Sequence, residues 1–470
     1  MEPLIILSTE EVEALHQAAL RILNETGVQF THQEACQILA QAGAIVRSPR
    51  VFFPPELVEK CISLCPNQVS IRGRNGGVIS LGDGSLYFHN LGGARDIQDS
   101  HTGKYRLAAA QDVADAARLL DALPNCDTIT PFFTPNDVDG ELMSLMMYRH
   151  TLPNTTKPVH GPGVQTPAEV RYIVNMAAVL GSPDETLTLS VSPVSPLNFP
   201  DREVAAMMEI ARAGIPFSPL PCPTAGMTAP ITLAGALAQQ TAEVLAALVL
   251  AQTIRPGNPL VFSGRLAMME PRSGGSVWGG VEMGLASAGT VQLGRRYNLP
   301  VNVYGFSTNS HTLDIQNGFE RGLNALIPAL AGADELSGIG ELEAGITSTY
   351  TQMVADDEFA ASIRRARRGF RADDDTLAVD VIAEVMGGSR NFLSERHTAR
   401  HLRSGELLVP YLAERQVRET WEKGGRSGLL ERARAESERI LGEHRVEPLD
   451  ESQLKELDLV MAAAYRELVG

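Results

Sequence analysis

The sequence predicts an α/β protein built on a (β/α)8 TIM barrel, with an N-terminal region of helices and small β structure and with C-terminal helices. Three observations predict it. Short apolar segments alternate with helical stretches from about residue 107 onward. Each segment is separated from the next by room for one or two helices, the pattern of buried parallel strands. No G-x-G-x-x-G turn follows a strand: Gly338-Ile339-Gly340 runs on into Glu341-Leu342, which disfavours an open dinucleotide-binding sheet.

The N-terminal region, 1–106, opens with Ser8-Thr9-Glu10-Glu11, a capping box in which the Ser8 hydroxyl and Glu11 carboxylate satisfy the first free amides of a helix. Val12, Leu15, Ala19 and Ile22 follow at helical spacing, with Gly27 as the stop. A second helix is expected over 33–42, and a third from Pro54-Pro55 to Cys65-Pro66. Over 68–106 the period changes to alternation between glycines, which predicts a small antiparallel sheet with a turn at His101-Thr102-Gly103. The barrel is expected over 107–412, with strands at 128–133, 158–161, 186–191, 216–220, 259–263, 301–305 and 335–339. The eighth strand is sought at 377–382 or around 346–350. The tail, 413–470, reads as two long charged helices packed outside the barrel.

With 44% hydrophobic and 20% charged residues in 470, the chain can bury a large core. A net charge of −16 without a basic stripe argues against nucleic acid. The basic run at 364–368 reads as a solvated helix face or subunit contact. Five scattered cysteines show no pairing framework and suit a reducing cytoplasm, and the N-terminus lacks a signal-peptide pattern. The apolar stretch 234–254 carries Gln239, Gln240, Glu243 and Gln252. These would be costly in lipid, so it reads as a buried helix and no membrane association is expected.

Barrel chemistry sits where strands end. Charged groups in the expected strand-end loops are few: Asp137, His160, Arg265, Glu270, His311, Asp314, Glu341 and Glu343. No acid–base pair stands out, although Glu341 and Glu343 would share a face of a strand. His160, His311 and Cys222 fall at three strand ends. They read better as a capping histidine, a pocket hydrogen bond and a buried thiol than as a metal site, so no metal is expected. The aromatics near these loops, Tyr87, Phe88, Phe132, Phe133, Tyr304, Phe306 and Tyr350, could hold a quaternary ammonium through cation–π attraction or simply fill core.

Several segments are similar to the trimethylamine methyltransferase family, in its branch without pyrrolysine. They are LSTEEVEALHQAALRILNETGV, ARDIQDSHTGKYRLAAAQDVADAARLLDALPNCD, SPVSPL, SGGSVWGGVEMGLASAGTVQLGRRYNLP, STNSHTLDIQNGFERGLNAL and NFLSERHTARHLRSGELLVPYLAER. The resemblance covers nearly the whole chain. It implies a (β/α)8 barrel that transfers a methyl group from a methylamine to the cobalt of a corrinoid carried by a separate protein, which docks at the barrel mouth. It implies no tightly bound cofactor of the chain's own and a homo-oligomer. The counterpart of the pyrrolysine is placed in or beside 308–311, where only standard residues occur. That departure favours a quaternary amine such as glycine betaine or a related betaine over trimethylamine. Such a donor leaves as a neutral tertiary amine and needs no proton, which suits a site poor in acid–base pairs. Asn309, His311 and Glu341 are the expected catalytic residues. His89, Phe133, His160, Phe306, Thr308, Glu343 and Tyr350 are the expected substrate contacts, a structural hydrogen-bonding or packing role competing at each. A methyltransferase for another N- or O-methyl donor, or a module that binds betaine or a corrinoid protein without turnover, are the alternatives.

Overall fold

The computed structural model describes residues 2–388 and 390–470, with Pro162 described by its backbone alone. Eight parallel strand positions close into a barrel. In chain order they are β1 (Tyr87–Asn90), β2 (128–129), β3 (Val159–Gly163), β4 (Leu187–Val191), β5 (Phe217–Pro219), β6 (Phe262–Gly264), β7 (Val301–Tyr304) and β8 (Glu335–Ile339). Parallel pairing runs β3–β4–β5 and β6–β7–β8–β1. Single bridges His89↔Thr128, Ile129↔Val159 and Phe217↔Leu260 complete the circle. Each strand is followed by a helix, from Ala110–Ala122 after β1 to Tyr350–Arg368 after β8.

The strand that closes the barrel is thus Tyr87–Asn90, inside the region read as a small antiparallel sheet. The positions considered for it fall elsewhere. Residues 377–382 lie in and between the short helices Asp374–Leu377 and Val379–Gly387, and Thr347–Ser348 pairs with Asp96–Gln98 in a small sheet above the barrel. The rest of the 68–106 reading holds in part. Val69–Arg72 and Val78–Leu81 form one hairpin, and Asp96–Gln98 and Tyr105–Leu107 another. The first hairpin packs Val69, Ile71, Ile79 and Leu81 against Val261 and Tyr87, which closes the bottom of the barrel with apolar surface.

Strand alternation divides the side chains into two sets. Phe88, Ile129, Leu189, Phe217, Phe262, Val301, Val303 and Leu336 are fully buried in the main apolar core that the helices share. The intervening residues, among them His89, Thr128, His160, Thr188, Ser218, Ser263, Asn302 and Glu335, are also buried and point into the lumen. A barrel lumen is ordinarily filled with Val, Ile and Leu; here it is polar. The helix Leu233–Ile254 is long and apolar enough to span a membrane, yet most of it is buried within the protein and it packs against Thr9–Arg21, Pro55–Leu64 and Asp201–Ala213.

The N-terminal capping box forms as expected, with Ser8 N–H donating to Glu11 at 2.7 Å and Glu11 N–H donating to Ser8 Oγ at 3.2 Å. That helical stretch ends at Gly27, whose φ of +68° needs a glycine. At the other end, Leu429–Glu443 packs on Tyr350–Arg368, and Glu451–Leu468 packs on Pro167–Ala178.

Candidate active site

Most of the lumen residues are joined by hydrogen bonds and one ring contact. Glu335 accepts from Thr128 Oγ1 at 2.7 Å and from Asn302 Nδ2 at 2.5 Å. Asn302 Nδ2 also lies 2.9 Å from His89 Nε2. The His89 ring packs 4.7 Å from that of His160, whose Nδ1 meets Thr188 Oγ1 at 2.6 Å. Burial holds His89 and His160 down at about 3, so both rings are neutral at physiological pH. They shape the floor and carry no charge.

Above this floor sit a buried guanidinium and a buried carboxyl. Arg265, the residue just after β6 and two beyond the inward-facing Ser263, is buried. Its Nη1 donates to the carbonyls of Gly264 and Asn302 at 3.0 and 3.1 Å, and its Nη2 donates to Asn302 Oδ1. None of these acceptors is a carboxylate, and the Nε–H has no acceptor among the described residues. The guanidinium lies 5.1 Å from the centre of the Tyr304 ring. Glu341, two residues past β8, is fully buried and neither carboxylate oxygen has a hydrogen-bond partner at good distance and angle among the described residues. Burial pushes Glu341 up to about 8, with the nearby Tyr304 hydroxyl and Arg321 opposing the rise. A buried carboxylate without a donor is costly unless a cation meets it.

Beside both groups stands an aromatic wall. The Tyr304 ring lies 5.7 Å from that of Trp278. Tyr304 and Trp278 are half-buried, and Cys222 presents open surface even though surrounding protein raises its thiol to about 11. Crowding combined with solvent contact marks a concave mouth.

The expected site residues separate into distinct places. Glu341, His89 and His160 belong to the bowl and its floor. Asn309 lies behind the wall. Its Oδ1 accepts the Trp278 and Gly279 amides, each at 2.7 Å, and its Nδ2 donates to Ser276 O at 3.1 Å. Thr308 Oγ1 donates to Glu320 at 2.6 Å and is buried. His311 is exposed at the rim, 3.3 Å from Glu343, whose other oxygen accepts from Thr347 at 2.8 Å. Glu341 and Glu343 do not share a strand face, because Glu343 and Ala344 take positive φ values of +51° and +56° and end the strand. Phe306 is fully buried on the helix side, 5.7 Å from Phe88. Phe133 is fully buried and packs against Phe132 at 4.7 Å and Tyr350 at 6.5 Å, and Tyr350 donates to Asp112 at 3.1 Å.

Arg265 and Tyr304 stood among the loop charges and aromatics of the sequence without being singled out, and Trp278 went unnoticed. The signal for the first two is alternation: Asn302 and Tyr304 fall on one face of a strand, and Arg265 follows Ser263 by two residues at the end of another. Among the described residues, the group of three metal-ligand side chains, Asp375, His397 and His401, lies far from the mouth on the C-terminal segment, where Arg400 already bonds Asp375.

Residues 1–468 match the family model described as trimethylamine methyltransferase. The chain is 35% identical over 453 residues to a trimethylamine methyltransferase of Desulfitobacterium hafniense strain DSM 10664, covering 94% of this chain and 90% of the relative. It is 29% identical over 455 residues to a glycine betaine methyltransferase of D. hafniense strain Y51, covering 95% and 96%. The crystal structure of the Methanosarcina barkeri monomethylamine methyltransferase superposes with a TM-score of 0.56 at 13% identity, covering 99% of this chain and 89% of that one, a likeness of fold.

Proposed function

We infer that this chain, which belongs to the trimethylamine methyltransferase family, is a methyltransferase that takes a methyl group from a quaternary amine carrying a carboxylate, such as glycine betaine. The acceptor is the corrinoid of a partner protein. The observation that carries this reading is the placement beside Tyr304 of two buried groups, the Arg265 guanidinium with no carboxylate partner and the Glu341 carboxyl, whose burial holds it protonated until a cation meets it. A betaine is a zwitterion. Its ammonium fits against Glu341 and the faces of Tyr304 and Trp278. Its carboxylate fits the open Nε–H edge of Arg265, where a charge-assisted hydrogen bond is strongest. Trimethylamine would leave Arg265 without an anion.

The corrinoid of the partner supplies a cobalt(I) nucleophile for the methyl group. The chain's own residues hold the donor. Anchoring the charged ends of the donor at Glu341 and Arg265 fixes the N–CH3 axis, and positioning of this kind can lower a barrier by roughly 7–11 kcal/mol. The amine leaves neutral, so no residue has to deliver a proton. Neutral His89 and His160 fit this, since they place no second cation under the substrate. The partner docks over the loops at the C-terminal ends of the strands. Cytoplasmic placement goes with five free cysteines.

The test is to mix the purified chain with chemically reduced cobalamin and glycine betaine, choline, trimethylamine or dimethylglycine in turn. Methylcobalamin should accumulate with glycine betaine or another betaine. No methylation from any betaine would refute the reading, and saturable betaine binding without methylation would favour a binding module.

A further inference from the structure

We propose, on the reading of the bowl as a betaine site, that Asn302 sets its donor preference by holding Arg265 with one edge of the guanidinium free for a carboxylate. Asn302 lies on β7 between its register partners, Ser263 on β6 and Glu335 on β8, and is fully buried. An amide can be turned either way, so its neighbours have to fix it. His89 Nδ1 lies 2.8 Å from the Asn90 carbonyl oxygen, which can only accept, so Nδ1 carries the hydrogen of the neutral ring. His89 Nε2 is therefore bare and accepts from Asn302 Nδ2 at 2.9 Å. The other Nδ2 hydrogen goes to Glu335 Oε2 at 2.5 Å, and Thr128 Oγ1 holds the second Glu335 oxygen at 2.7 Å. Both amide hydrogens are thus spent on His89 and Glu335, and Oδ1 is left to face Arg265.

Arg265 then meets two oxygens of one residue. Nη1 donates to Asn302 O at 3.1 Å and Nη2 to Asn302 Oδ1, while Gly264 O takes the second Nη1 hydrogen at 3.0 Å. The Nε–H and one Nη2–H remain, neither with an acceptor among the described residues. On a guanidinium these two lie along one edge, in the fork that matches both oxygens of a carboxylate. A donor without a carboxylate, such as choline, has no use for this edge. Asn302 is therefore a positioning residue, which acts on the donor through Arg265.

The experiment is isothermal titration calorimetry of the full-length chain with glycine betaine and with choline. Asn302→Leu should weaken glycine betaine about 10-fold and choline less than about 2-fold. In an Arg265→Gln background the same substitution should cost betaine nothing more, because the two residues act as one unit. Asn302→Asp keeps the size of the side chain, an oxygen for Arg265 and, when protonated, a donor for Glu335. Its ratio of betaine to choline affinity should fall as pH rises and a carboxylate forms against Arg265. The wild-type ratio should stay level, since Glu341 acts alike on both ammonium groups. Equal weakening of both ligands, additive losses in the Arg265→Gln background, or a level ratio in Asn302→Asp would overturn the proposal. A crystal structure of Asn302→Leu separates the role of Asn302 from the identity of the donor, because the guanidinium should leave its wild-type seat with or without ligand. A guanidinium that keeps its seat overturns the proposal. A displaced guanidinium in a chain that binds no betaine overturns the donor assignment and upholds the placing of Arg265 by Asn302.

Discussion

The Arg321 guanidinium lies 2.9 Å from the Asp356 carboxylate, and neither side chain has any exposed surface. Arg321 also donates to Phe306 O at 2.7 Å, and Asp356 accepts the Gly340 amide at 2.6 Å. The pair therefore ties together the chain just past Tyr304 and the residue just before Glu341. Two helices of the outer ring hold the aromatic wall and the buried carboxyl in register through this one contact.

Removing one partner should be severe. Asp356→Ala leaves a buried guanidinium without its acid, a change that costs on the order of 3–5 kcal/mol. The urea midpoint should fall accordingly, with less loss for the combined replacement Arg321→Met with Asp356→Leu. Equal loss in both would show that the charges themselves are not what the pair contributes.

Glu341 makes stability and binding depend on pH in opposite senses. Its carboxyl stands at about 8 in the folded chain against an ordinary 4.5. Below 4.5 it is neutral in both states and has no effect. As pH rises from 4.5 to 8 the unfolded chain ionises first, so folding stability falls, and above 8 the full deficit remains. Glu341→Gln should therefore raise the melting temperature above pH 8 and leave it unchanged near pH 4.5. Donor affinity should strengthen in the wild type as pH rises through about 8, because the carboxylate faces the ammonium, and that rise should vanish in the Gln variant. Calorimetric scans and titrations across this range check both.

Arg265 should discriminate between donors. Charge-assisted hydrogen bonds are worth roughly 1.5–3 kcal/mol, which is about 13- to 160-fold. Arg265→Gln should lower kcat/KM for glycine betaine by that factor and change the rate with choline little. A uniform loss across donors would assign Arg265 to the fold of the lumen instead.

Asn309 should act through Trp278. Asn309→Ala removes the acceptor of the Trp278 and Gly279 amides. Trp278 emission should shift to the red, with KM for the donor raised more than kcat is lowered. Trp421→Phe as background isolates the signal, since the chain has two tryptophans.

The barrel was legible because its strands are short, apolar and regularly spaced. The strand Tyr87–Asn90 was not, and the reason is the polar lumen. With Phe88 facing the helices and His89 facing inward, it has the look of a half-exposed strand in an antiparallel sheet, and it sits between two true hairpins. The site was partly legible for a related reason. Glu341 stood out as a rare charge at a strand end. Trp278 did not, since its place against Tyr304 depends on Asn309 reaching across from another loop. Loop-to-loop contacts of that kind leave no periodicity in a sequence. Phe306 shows the converse. It follows Tyr304 by two residues, but the backbone turns after β7 and sends it to the helix side.

The most direct test of the account is a crystal structure of the chain with glycine betaine. The trimethylammonium group should lie against Glu341 and the Tyr304 ring, with its carboxylate hydrogen-bonded to Arg265 and a methyl group facing the open mouth. A betaine held with its carboxylate away from Arg265, or bound outside the barrel mouth, would contradict it.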